Sequence, residues 1–166
     1  MSLTGKPSLT TELPISNDGF WLDASMADLM SKYRIPSEYA DDTIKWGLSL
    51  SVVRVNEQLE RVKQAILLLP FATFEDYLAS NSMPVVGSEL LQVHYEHAIY
   101  SRAKAFLLQQ FSTMNRRKDA ENQAKESEET EQYWLDESAK SVAFLLRQFF
   151  PDESFISKAN VHVALI

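Results

Sequence analysis

The chain has 166 residues, with 16 Lys and Arg against 23 Asp and Glu, three histidines and no cysteine. That length suits one domain with its own core, and a net charge of −7 opposes a sequence-independent grip on nucleic acid, which needs a row of cations to displace counterions. The absence of cysteine excludes disulfides and thiol chemistry, no run approaches the ~18 apolar residues of a membrane span, and MSLTGKPSLT lacks the apolar core of a signal peptide.

Residues 1–19 are rich in Ser, Thr, Pro and Gly, lack periodicity, and are expected to form a flexible arm ahead of a domain spanning 20–154. Phe20 and Trp21 are candidate anchors for the end of that arm, on their own domain first and on a neighbour second. SMADLMSKY predicts a short helix, with Ser25 as cap and Asp28 three positions on. From Pro36–Ser37–Glu38 onward, Ile44, Leu48, Val52, Val55, Leu59 and Val62 recur every three or four positions. This spacing predicts one helix of about seven turns, stopped by Pro70. Gly47 inside it costs about 1 kcal/mol against Ala and suggests close approach of another helix. Glu57 and Arg61 have the favourable i,i+4 order for an ion pair. Ala65 to Leu69 are apolar all round, so that end is expected to be deeply buried.

Thr73 and Asp76 form a capping-box pattern that opens another short helix. Ser88 is expected to cap a second long helix, from Glu89 to Phe111, with Leu91, Tyr95, Ala98, Arg102, Ala105 and Gln109 in one row. Small residues on it, Ala98, Ser101, Ala103 and Ala105, would let another helix come close. A third long helix is predicted from Asp119 to Phe149 or Phe150, stopped by Pro151. Its segment 119–137 holds eight acidic groups and one lysine, an excess equal to the net charge of the whole chain. Glu126, Glu128, Glu129 and Glu131 are the candidate interaction residues there. In the last segment, 155–166, Val161, Val163 and Leu165 alternate with His162, Ala164 and Ile166, and Lys158 is its one charged side chain. An extended or β-like tail is expected, with Val161, Val163, Leu165 and Ile166 used between molecules. The fold class is therefore all-α: a compact bundle of three long and one or two short helices, with a flexible arm and an extended tail.

The sharpest chemical candidate is VHYEHA at 93–98. His94 and His97 are at i,i+3 on one helical face. The helical zinc motif instead has histidines at i,i+4, Glu96 points about 200° away from His94, and His162 is the remaining histidine. Packed or interface histidines are the better reading, and a metal-dependent enzyme using His94 and His97 the weaker alternative. There is no G-x-S-x-G, and glycines 5, 19, 47 and 87 form no phosphate loop. The paired carboxylates fall mostly in the acidic run, which suits a solvated helix face better than general acid work. No enzymatic activity and no cofactor are expected. An acidic run beside the basic triplet Arg116–Lys118, with apolar ends, suits a self-assembling subunit with complementary seams. A small helical adaptor or regulator without catalytic activity is the alternative.

At FWLDASMADLMSKYRIPSEYADDTIKWGLSLSVVRVNEQL, HYEHAIYSRAKAFLLQQF and DAENQAKESEETEQYWLDESAKSVAFLLRQF the chain resembles the head completion, or head stabilisation, protein of P2-like contractile-tailed bacteriophages (the gpL family). The agreement lies in scattered residues: Phe20–Asp23 with Met26 and Arg34, Ile44 with Gly47, Val55–Asn56–Glu57–Leu59, Tyr95–Glu96 with Ala98, Ala103 and Ala105 before Phe111, and Asp119–Ala120. The resemblance implies a non-enzymatic virion protein of the head–tail junction, assembled in the bacterial host cytoplasm, that joins a filled head. It would form a homo-oligomeric ring under the portal protein, be a monomer or ring when free, let DNA pass without specific binding, and offer a platform to other head- and tail-completion proteins. The family tends to have arginine where this chain has His97, which weakens both a salt bridge there and a histidine metal site. Leu67 to Leu69 are more apolar than the family pattern.

Overall fold

The computed structural model describes residues 14–36, 39–81, 84–85, 88–114 and 120–155, with side chains along the two last helices described up to 110 and again from 131. Two short antiparallel β pairs and six helices follow in the order β1 (Pro14–Ile15), β2 (Ala24–Ser25), α1 (Met26–Lys32), α2 (Asp41–Gln58), α3 (Glu60–Leu67), α4 (Phe74–Asn81), β3 (Pro84–Val85), β4 (Ser88–Glu89), α5 (Leu90–Met114) and α6 (Ala120–Phe149). The architecture is an all-α bundle in which α2, α5 and α6 are the long members.

Residues 14–19, expected to belong to a flexible arm, are held in place. Pro14 pairs with Ser25 and Ile15 with Ala24. Between these strands, Asp18 Oδ1 accepts the N–H groups of Phe20 and Trp21, and its Oδ2 accepts from Lys63 Nζ at 2.6 Å. Burial alone would raise the Asp18 carboxyl; the Lys63 bond and these two backbone donors outweigh it and hold the group below the usual range. Gly19 takes φ of 82° in this turn, a backbone state that costs glycine little. The result delivers Phe20 and Trp21 into the chain's own core at 5% and 4% exposure. Trp21 stacks on Tyr95, and the Phe20 carbonyl accepts the N–H of Phe74 at the start of α4.

The cap of α1 is the expected Ser25, whose hydroxyl accepts from the Asp28 N–H at 3.1 Å. The reciprocal half of the box is replaced, because Ser25 N–H donates to the Tyr100 hydroxyl. At the other end Arg34 takes φ of 50°, a left-handed conformation that costs a non-glycine residue about 1–2 kcal/mol. There Ile35 N–H bonds to the Met30 carbonyl and Lys104 to that of Arg34.

The predicted seven-turn helix is two helices. It begins at Asp41, later than Pro36, because Tyr39 is buried and its hydroxyl donates to the Leu107 carbonyl. It breaks at Leu59, with φ −98° and ψ 9°. The expected Glu57–Arg61 pair is not what forms: Arg61 makes a two-pronged pair with Glu153 at 2.7 and 2.9 Å and lies over the Phe150 ring, while Glu57 faces Arg54 at 3.4 Å. Arg61 thereby ties α3 to the chain just past α6.

Gly47 does mark a close approach. A Cβ there would lie 2.5 Å from the Phe106 ring of α5. The small residues of α5 meet α6, where Ser138 Oγ donates to the Ala98 carbonyl at 2.7 Å. Ile44, Leu48, Val55, Leu59, Val62, Phe74, Tyr95, Ile99, Leu107 and Leu145 form the centre of the core.

One expectation about burial is overturned. Ile66 is fully buried, but Leu67, Leu68 and Leu69 are 44%, 89% and 47% exposed. The inward side of α3 is taken by Val62 and Ile66, and the three leucines that follow have no helix packed over them among the described residues.

Candidate interaction surfaces

The 93–98 stretch lies on α5, where Val93 is exposed and His94, Tyr95, Glu96 and His97 each have a structural partner. His94 stacks on Phe144 with centroids 3.8 Å apart, and its Nδ1 is 3.4 Å from Ser141 Oγ. Burial, then the neighbouring His97, push the His94 imidazole below its ordinary value. His97 Nδ1 is 2.6 Å from the Tyr33 hydroxyl, and its Nε2 is 3.6 Å from Glu137 Oε2. Glu96 bonds with Gln92 and faces Lys32 at 3.9 Å. Among the described residues no group of three metal-ligating side chains comes together. His97 bridges α1, α5 and α6 within one molecule.

Tyr95 is the structural centre of this stretch. It is 1% exposed and sits in a closed ring of hydrogen bonds. Its hydroxyl donates to Asn56 Oδ1 at 2.8 Å, Asn56 Nδ2 donates to Asn17 Oδ1 at 2.7 Å, and Asn17 Nδ2 donates back to the Tyr95 hydroxyl at 2.9 Å. Three polar side chains from β1's loop, α2 and α5 thus satisfy one another. Burial drives the Tyr95 phenol far above its usual range, so it acts as a neutral donor.

The predicted interaction residues fall in different places. Phe20 and Trp21 are core residues and are unavailable to a partner. Glu126, Glu128 and Glu129 lie in the first half of α6, where their side chains are outside the description. Val161, Val163, Leu165 and Ile166 lie outside the described residues, as does His162.

Glu131 lines a cleft of about 230 Å³ between α2, α5 and α6, together with Leu50, Arg54, Arg102, Phe106 and Leu135. Arg102 is half-buried. Burial, then the charge of Arg54, lower its affinity for its proton. Among the described residues no hydrogen bond or ion pair reaches Arg102, and none joins Glu131 to either arginine. The sequence carried a trace of this cleft: Arg102 is the one charged residue in the row Leu91, Tyr95, Ala98, Arg102, Ala105. Among the described residues the exposed large apolar side chains are Leu67–Leu69, Trp46 and Val53 on α2 at 62% and 53% exposure, Val93 on α5 and Tyr133 on α6.

No helix among the described residues is long and apolar enough to cross a membrane. The probable head completion/stabilization protein of Haemophilus phage HP1 is 26% identical over 109 residues, covering 65% of this chain and 70% of that protein. No solved structure matches. The family model for the phage head completion protein (GPL) matches residues 15–148, from the first β-strand to the last turn of α6. A match of that extent, over a helical bundle in which His94, His97 and the buried Tyr95 serve packing, establishes that the chain belongs to the phage head completion protein (GPL) family.

Proposed function

We propose that this chain is a structural subunit that completes or stabilises the DNA-filled phage head, as one member of a ring beneath the portal protein. The observation that carries this reading is the family match across almost the whole described fold. The chemistry of the molecule supports it. Its most concentrated titratable cluster, at 94–97, is committed to helix packing. Its exposed apolar corner at Leu67–Leu69 suits a protein neighbour. Portal protein and the other head- and tail-completion proteins are the proposed partners.

In that ring, the first half of α6 faces the channel. The −7 excess of residues 119–137 repels phosphates, so the duplex passes without being held. Residues 155–166 dock on the portal or on an adjacent copy. Immobilised portal oligomers test the reading. Saturable capture of the full chain, lost on removal of 155–166, is the expected result. No capture at any concentration up to about a hundred times that of the portal would exclude it.

A further inference from the structure

We propose that in the free subunit Leu67, Leu68 and Leu69 are a docking surface for residues 156–166 of the same chain. The inference concerns the molecule before assembly and goes beyond the portal reading.

The surface is apolar without interruption. Leu68 is 89% exposed, between two half-exposed leucines. From Gln64 to Phe74 the sequence has no charged side chain. The nearest cations on α3 are already matched, Arg61 by Glu153 and Lys63 by Asp18. Nothing on this corner selects an acidic helix or a phosphate. Its natural cover is an apolar strip.

Arg61 fixes where that strip comes from. Glu153 closes on Arg61, the Phe150 ring lies under the guanidinium at 4.3 Å, and Phe155 rests against Phe150 with ring centroids 6.4 Å apart. The described chain therefore runs out beside the first turn of α3. Leu68, still in helical conformation at the C-cap, follows Arg61 at i+7. The two thus share one face of α3, about 10 Å apart along its axis. Extended, residues 156–166 reach up to about 36 Å, so they cover this distance with length to spare. Their one charged side chain is Lys158, and Val161, Val163 and Leu165 alternate, which lets one edge of the strip lie on the leucines.

The tether selects the chain's own strip over that of a second copy. Joined through residues 156–160, it acts at an effective concentration in the millimolar range, well above that of a second subunit in micromolar solution. The contact hides two adhesive surfaces in each other. When a portal or an adjacent copy takes the strip, Leu67–Leu69 open for a neighbour.

The test uses the full chain, which has no cysteine of its own. Gln64→Cys, one turn before Leu68 on the same face, is combined with Ala164→Cys and treated with a short bismaleimide at micromolar protein. A bridge within the monomer is expected, read by mass, and its yield should fall several-fold when Val161, Val163 and Leu165 are all changed to serine. In a chain without the added cysteines, the same three serines are expected to raise binding of the hydrophobic dye ANS several-fold; adding Leu68→Ser should remove most of that rise. Circular dichroism establishes that each variant is folded. The inference is overturned by a bridge whose yield the serines leave unchanged, by bridging only between molecules, which would make a second copy the occupant, by dye binding that the serines do not raise, or by a rise that survives Leu68→Ser. If the bridge fails while portal capture succeeds, only this inference falls; if capture fails while the bridge forms, only the portal reading falls.

Discussion

Tyr95 concentrates several requirements in one side chain, and a single atom tests them. Tyr95→Phe keeps the stack on Trp21 and removes the hydroxyl that closes the Asn17–Asn56 ring. Asn56 Oδ1 then loses its donor in a partly buried place, so a loss of about 1 kcal/mol in urea unfolding is expected. His94 gives a pH dependence. Its imidazole is held below 6.5, so the unfolded chain binds that proton more readily than the folded one. This contribution to stability is complete at higher pH and is lost as pH falls below about 6.5. The lowered carboxyls of Asp18, Glu137 and Glu153 act in a more acidic window. His94→Gln should therefore flatten the stability profile between about pH 5.5 and 7; an unaltered slope would contradict the assignment. The packing role of Tyr95 was legible from its row on α5. Its polar ring was not, since Asn17 is 78 residues away and nothing local records such a partner.

At the scale of elements, local rules were legible where the chemistry is local. Thr73 and Asp76 make both bonds of the capping box, at 3.1 and 3.2 Å, and Ser25 caps α1. The break at Leu59 left no trace because the apolar spacing runs on through it to Val62 and Ile66. The three leucines after Ile66 misled in the opposite way. Apolar character states that a side chain favours cover, and the fold or a partner decides whether cover exists. Gly47 was read correctly as a close approach, and a substitution measures it. Alanine would recover about 1 kcal/mol of helix propensity but would press its Cβ into the Phe106 ring at 2.5 Å. Overpacking of this kind costs about 1–3 kcal/mol, so Gly47→Ala should lower the thermal midpoint despite better helix propensity. A raised midpoint would show that Phe106 moves aside freely.

For the whole molecule, the balance of charge and apolar surface matters more than any reactive cluster. The excess negative charge belongs to the segment 119–137, and among the described residues Trp46 on α2 and Leu68 just past α3 are the most exposed of the large apolar side chains. The all-α class was legible from periodicity in the three long helices. Which surfaces remain open was not, because that depends on how six helices exclude one another. The account's central claim is that this bundle acts by position, as a part added to the portal vertex of a filled head. Electron microscopy of DNA-filled heads lacking this protein, before and after its addition, tests that most directly. The account predicts new ring-shaped density on the channel axis at the one vertex that carries the portal; unchanged portal vertices, or protein spread over the whole capsid surface, would contradict it.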